Sequence, residues 1–329
     1  MWLLAGNCAG DNNQLLALAE AIGHPFDTKS ITYNSLRLLP FLRRNLTIVT
    51  EESRALLRPP WPDLVIGAGY GSLPVARYIR GQSGGRAKLV HIGNSRSEIE
   101  DFDLHITTPQ YSRGPAQNLL ELPFPIGNPA QLTRPTFEER RWLRDYPRPR
   151  RMVALGGPAR NWRLDEAALI DALRAIADKK PAGSLIVAVS PRTPAKTASR
   201  VAALMSAPGQ TMVANFPRFG TLLAECDEIF VTADSVSMIS EAILSGNPVG
   251  LIPIQRSFRG ALSRWLWEQP LNKSPLPNFA NFWKMLRRQR LVGTVELPVA
   301  SQVCDTVERA ADAVRSLLAP GDAVDERST

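Results

Sequence analysis

Two serines at the mouth of a buried strand, followed one helical turn later by a carboxylate, form the most chemically suggestive arrangement in this chain. The strand text is Glu228-Ile-Phe-Val231, the turn is Thr232-Ala-Asp234, and Ser235-Val-Ser-Met-Ile-Ser-Glu241 opens a helix that Gly246 stops. Ser235 and Ser237 can cap a helix and leave its first N–H groups facing an anion. Glu241 follows Ser237 by four residues and shares its helical face. Amide donors suit a diphosphate, and a carboxylate one turn on suits the hydroxyls of a ribose. Asp234, in the turn itself, is grouped with these candidates. The same text also describes an ordinary capped helix with a solvated Glu241.

Three other strand-end loops carry compatible chemistry. Gly156-Gly157-Pro-Ala-Arg160 follows the strand text Met152–Leu155, and its glycines let backbone N–H groups approach a phosphate closely. It matches neither GxGxxG nor a Walker loop. Ser190-Pro-Arg192-Thr193 ends the next strand and offers a guanidinium and two hydroxyls where a diphosphate would lie. Asn215-Phe216-Pro-Arg-Phe219 follows a third and can hold a base against an aromatic ring, with Phe216 the candidate. The Gly156 loop alone reads equally well as a plain βα turn, and at least one ring of the Asn215 loop reads as a hydrophobic staple into the core. Together, on one sheet edge, they favour a nucleotide.

The first half of the chain supplies a different set. Gly6-Asn7-Cys-Ala-Gly10-Asp11-Asn12 is a glycine-rich turn entering a helix. Asp11 reads either as the helix N-cap or as a general base taking a proton from an acceptor hydroxyl. Gly67, Gly69 and Ser72 form a second small-residue loop that lets an acceptor approach the backbone. Other signals are bland. Asp101-Phe-Asp103 precedes a strand beside Glu100 and reads as a solvated turn. His24, His91 and His105 lack metal spacing, so no metal ligand set is expected. No zinc-finger spacing, RNP motif or base-reading basic helix points to nucleic acid.

Short apolar runs alternating with amphipathic helical runs position these loops, which indicates an α/β fold with parallel sheets. Strands are expected at 2–5, 47–50, 64–67, 89–92 and 104–107, then at 152–155, 185–189, 211–214, 228–231 and 249–252. Helices are expected at 14–22, 51–57 and 73–80, then at 165–179, 195–205, 221–224 and 237–244, with a closing helix at 301–318. The expected organisation is an acceptor-side domain over 1–135 and a Pro/Arg-rich linker over 136–150 with a short helix. A nucleotide-binding domain over 151–300, a helix over 301–319 packing back on the first domain, and a frayed 320–329 complete it.

The 329 residues suit two such domains, and the charge of +8 from 39 Lys+Arg against 31 Asp+Glu favours phosphates, nucleic acid or anionic lipid headgroups without choosing among them. Three cysteines without pairing spacing suggest a reducing cytoplasm. The N-terminal apolar run is too short for a signal peptide, and no run reaches the roughly 20 apolar residues of a spanning helix. Basic amphipathic text at 33–44, with Arg37, Arg43 and Arg44, suits peripheral contact with an anionic membrane at its inner face. For the similar text at 258–267 and 279–288, interdomain packing is the expectation.

These residues together resemble the GT-B glycosyltransferase superfamily, above all where Thr232–Ala242 leads into Gly246-Asn-Pro-Val249 and Pro253. Within it the chain is similar to the bacterial relatives of the plant elongated-mitochondria, or mitochondrial fission, family. The shared text is Gly6–Gln14 with Leu18–Ala21, Pro62–Gly69, Thr107–Tyr111, Gly156–Pro158, Ser190–Pro194 and Thr232–Ala242. The resemblance implies a GT-B-like α/β fold of two Rossmann-like domains with parallel sheets facing across a cleft. It also implies metal-independent chemistry, with a nucleoside diphosphate sugar, a UDP-sugar foremost, as donor substrate and no tightly bound cofactor. The expected reaction is inverting transfer to a hydroxyl on a lipid-linked or envelope acceptor. A non-catalytic membrane- or partner-binding module and a sugar-nucleotide epimerase are the alternatives.

Overall fold

Val153 and Leu155 turn to one face of a sheet while Met152 and Ala154 turn to the other, and all four are buried. That is why the strand text is continuously apolar rather than alternating: a parallel sheet has helices over both faces. The computed structural model describes residues 1–38, 45–69, 71–94, 99–111, 114–127, 134–159, 162–179, 181–257, 279–302 and 305–319. The chain divides into two units, Met1–Leu122 with Asp305–Thr329, and Pro123–Cys304.

The first unit holds β1 (Trp2–Ala5), α1 (Ala9–Ile22), β2 (Asp27–Ser30), α2 (Glu51–Ala55), β3 (Leu64–Ala68), α3 (Ser72–Gln82), β4 (Lys88–Ile92), β5 (Leu104–Thr107) and β6 (Leu119–Glu121). Its strands form one parallel sheet in the order β2-β1-β3-β4-β5-β6. The expected strand at 47–50 is instead a 3-10 turn, Leu46–Ile48, followed by a lone antiparallel bridge from Val49 to Tyr33. Its apolar residues Ile48 and Val49 are buried against the core without joining the sheet. The last helix, Thr306–Leu318, buries Ala310, Ala311 and Val314, packs on α1, and donates from Arg315 to the Ala21 carbonyl.

The second unit begins with the proline- and arginine-rich text. There α4 (Phe137–Leu143) starts on a capping box between Thr136 and Glu139. Glu139 is buried and accepts from the Arg218 backbone N–H at 2.9 Å, from the Arg218 guanidinium at 2.9 and 2.7 Å, and from Thr221 Oγ1 at 3.1 Å. Trp142 and Tyr146 pack on the unit's core. This stretch is thus part of the unit, anchored by the ion pair of the buried Glu139 with the half-exposed Arg218.

Then come β7 (Arg150–Leu155), β8 (Trp162–Leu164), α5 (Glu166–Ala177), β9 (Ser184–Val189), α6 (Ala195–Leu204), β10 (Gln210–Val213), α7 (Phe219–Glu225), β11 (Glu228–Thr232), α8 (Val236–Leu244), β12 (Val249–Ile252) and β13 (Ile254–Arg256). The parallel sheet runs β10-β9-β7-β11-β12, and β8 pairs antiparallel with β13 outside it. A helix at Phe279–Arg288 buries Phe282 and Leu286 in the core of its own unit, where packing between domains was expected, and the similar text at 258–267 lies outside the described residues. Of the basic text at 33–44, residues 39–44, including Arg43 and Arg44, lie outside the described residues.

Candidate functional site

Strand order locates the site before any side chain does. In the second unit the winding reverses between β7 and β11, the point where ligands bind at the carboxyl ends of an open α/β sheet. The loop after β7 carries Gly156 and Gly157, and the loop after β11 carries Asp234 and Ser235.

These loops are tied by one carboxylate. Asp234, its side chain only 1% exposed, accepts from the Gly157 N–H at 3.0 Å, from Arg192 Nη2 at 3.0 Å and from Thr232 Oγ1 at 2.6 Å. Thr232 Oγ1 in turn accepts from the Gly156 N–H at 2.8 Å. A Cβ at Gly156 would collide with the Asp234 carboxylate, and one at Gly157 with the Arg192 backbone carbonyl. Glycine is required here because two loops and a carboxylate converge on the same backbone. The N–H of Gly157 and the guanidinium of Arg192, read from sequence as diphosphate donors, are therefore engaged by Asp234.

The β9 loop is fastened in the same way. Thr193 Oγ1 accepts from the Ser190 N–H at 3.1 Å and lies 2.9 and 2.8 Å from the Leu155 and Gly156 carbonyls, to which it donates. Ser190 Oγ accepts from the Arg192 N–H at 3.2 Å. Helix α8 starts as expected: Ser235 is its N-cap, accepting from the Met238 N–H at 3.4 Å, and lies 3.3 Å from Ser237 Oγ. Gly246, with φ of 77°, follows the end of the helix. Arg160 lies outside the described residues.

Beside these loops is a cavity of about 220 Å³, walled by Ala188, Val189, Pro191, Pro217, Phe219 and Met238, with Ser190 and Glu241 as its polar groups. Burial raises the Glu241 carboxyl above its ordinary value. Its carboxylate has no hydrogen bond or ion pair among the described residues. Phe216 does not line the cavity. It is 44% exposed and meets Trp142 edge-on, with ring centroids 6.4 Å apart. Phe219 supplies the aromatic wall instead, because Arg218 is held by Glu139 and α7 begins at the next residue. Sequence reasoning did not single out Pro217 or Met238. Nor did it find Trp283, whose Nε1 donates to the Ala233 carbonyl at 3.1 Å and props the β11 turn from a distant helix.

In the first unit the sheet reverses between β1 and β3, where Asp11 meets the second small-residue loop. Asp11 is the third residue of α1, and Cys8 is the N-cap position, without a side-chain cap bond. The N-cap reading of Asp11 is thus replaced by a carboxylate inside the first turn. A Cβ on Gly69, whose φ is 68°, would lie 3.0 Å from Asp11 Oδ2. Burial raises the Asp11 carboxyl, and a hydrogen bond from Cys8 partly offsets this.

Asn12 closes the turn, accepting from the Gly6 N–H at 3.0 Å and donating to the Gly6 carbonyl at 2.8 Å. Asn7 and Gly10 are exposed on the same turn. Ser72 is buried, donates to the Gly69 carbonyl at 3.0 Å, and would be struck by a Cβ at Gly67. Asp101 and Asp103 are ion-paired to Arg77 and Arg80 of α3, so their carboxylates hold the fold together. His91 and His105 are buried in the sheet around Phe102, with burial pushing His91 down to about 3.

A chain built of two such Rossmann-like parallel-sheet units has the fold of the GT-B class. The chain belongs to the family described as Mitochondrial fission ELM1, whose model matches residues 9–317. Three solved structures show the fold likeness. The MnaA–UDP structure from S. aureus is 11% identical, covers 96% of this chain and 95% of its own, and has a TM-score of 0.55. A glycosyltransferase from Rickettsia africae is 9% identical over 97% and 98%, with a TM-score of 0.54. UDP-GlcNAc 2-epimerase from Methanocaldococcus jannaschii is 13% identical over 96% and 99%, with a TM-score of 0.53. No curated protein sequence matches the chain.

Proposed function

We propose that the second unit binds a nucleoside diphosphate sugar and that the protein transfers the sugar to a hydroxyl. The carrying observation is the Glu241 carboxylate: half-buried, without a partner among the described residues, and lining an apolar cavity at the β9, β10 and α8 loops. Desolvating a carboxylate is unfavourable unless a ligand supplies its hydrogen bonds. A ribose diol supplies two, and the apolar wall that includes Pro191, Pro217 and Phe219 suits a base. A diphosphate beyond the ribose meets Arg192, Ser237 and the first N–H groups of α8, whose positive field favours the departing nucleotide. Arg160 belongs to the same proposed set, and UDP, which one fold neighbour holds, is the first donor nucleotide to test.

On the acceptor side, Asp11 is assigned as general base. In that reading the acceptor oxygen bonds to the anomeric carbon and its proton goes to Asp11. The bond from the anomeric carbon to the diphosphate breaks, and the nucleotide leaves with the electron pair. Burial favours the role, because a raised carboxyl is a stronger base. The acceptor class, lipid-linked or envelope, and contact with an anionic membrane belong to this proposal. Calorimetric titration of UDP, GDP and CDP tests it; no binding of any of them at millimolar concentration refutes it. The epimerase fold neighbour motivates a second reading, conversion of the donor sugar without an acceptor. Product analysis with the donor alone separates the two.

A further inference from the structure

We propose that Asp234 is a built-in counter-ion at the edge of the diphosphate subsite, so that a bound diphosphate must compete with it for Arg192. The inference deepens the nucleotide reading above and rests on it. Asp234 has what an anion bound at this place would have. A glycine-loop N–H reaches it at 3.0 Å, a guanidinium at 3.0 Å and a hydroxyl at 2.6 Å. It also stands immediately before the N-cap of α8, where the helix end favours negative charge. Arg192 is 45% exposed while Asp234 is 1% exposed, so the guanidinium can turn to an incoming anion and the carboxylate cannot leave. The Thr232 hydroxyl and the Gly157 N–H both hold that carboxylate in place. Arg192 and Asp234 together carry no net charge. The pull on a diphosphate is weaker than the Gly-Gly and Arg text alone suggests, and the site discriminates against small free anions.

The test compares wild-type protein with Asp234→Asn by calorimetry, using uridine, UDP and inorganic pyrophosphate at one ionic strength. Removing a like charge a few ångströms from the bound anion strengthens UDP and pyrophosphate binding about tenfold. Uridine affinity stays unchanged, and Arg192→Ala in the Asp234→Asn background removes the gain. A purely structural role for Asp234 cannot produce tighter binding. Equal or weaker pyrophosphate binding by a cooperatively melting Asp234→Asn overturns the proposal. If that variant does not fold, Asp234→Ser, which removes the carboxylate and leaves a small polar side chain, decides by the same measurement. Failure of the nucleotide reading looks different: uridine and UDP bind neither protein, while the pyrophosphate gain stands or falls independently.

Discussion

Replacing Glu241 with Gln moves affinity and stability in opposite directions. The side chain keeps its size at the cavity wall and has no protein hydrogen bond among the described residues to lose. The amide oxygen still accepts from one ribose hydroxyl, so what disappears is one of the two charge-assisted bonds. Hydrogen bonds to a charged group contribute about 1.5–3 kcal/mol, so UDP binding should weaken roughly 10- to 150-fold. The stability effect follows from proton linkage. The ordinary carboxyl value is 4.5, and burial raises it in the folded protein. Above pH 4.5 the unfolded chain releases this proton before the folded one does. Folding stability therefore falls as pH rises through the window from 4.5 to the folded value, and the penalty stays constant above it.

Gln has no such penalty, so Glu241→Gln should melt higher than wild type at pH 8, with the gain shrinking as pH falls toward 4.5. Calorimetry with UDP and thermal melts across pH 4–8 measure both quantities on one preparation. Unchanged UDP affinity refutes the ribose contact, and a lower melting temperature at pH 8 refutes the burial argument.

Asp11→Asn should leave UDP affinity intact and abolish transfer. Its stability gain should appear as pH rises above 3.8, the ordinary value, for the same linkage reason. Gly157→Ala drives a methyl into the Arg192 backbone carbonyl and should cost about 1–3 kcal/mol in urea unfolding, with nucleotide binding weakened because both loops must part. Phe282→Ala empties a fully buried site in the core of the second unit and should cost about 3–5 kcal/mol by the same assay. Glu139, held below the usual carboxylate range by Arg218, should make the fold acid-labile. Its contribution is complete above pH 4.5 and lost below it, which Glu139→Gln should flatten in a pH series of melts.

The central strands were legible because a strand covered on both faces must be apolar throughout, as in Leu64-Val-Ile66 and Ile229-Phe-Val231. The edge strands of the second sheet, Gln210–Val213 and Val249–Ile252, were legible too, but those of the first sheet were not. Asp27-Thr-Lys-Ser30 and Leu119-Leu-Glu121 pair on one side only and carry polar residues that no local pattern marks as strand. At the site, the start of α8 was legible because capping is a local code read within four residues, Ser235 to Met238. The exchange of Phe216 for Phe219 was not. Which ring turns inward depends on the hold of Glu139 on Arg218, 79 positions away in the chain.

By itself the sequence determined that two α/β units are present and that polar loops stand at the carboxyl ends of buried strands. Periodicity and turn chemistry are written in neighbouring residues, and the sheet order then brings those loops together. Only the tertiary structure decided what the loops do to one another. Gly157 and Asp234 are 77 residues apart, and their bond exists because β7 and β11 lie side by side. The chain reads Gly-Gly, Arg and Ser-Glu as donors and an acceptor awaiting a nucleotide. The fold places the Asp234 carboxylate among them and leaves the one on Glu241 without a protein partner among the described residues, because burial and pairing are properties of the assembled sheet edge.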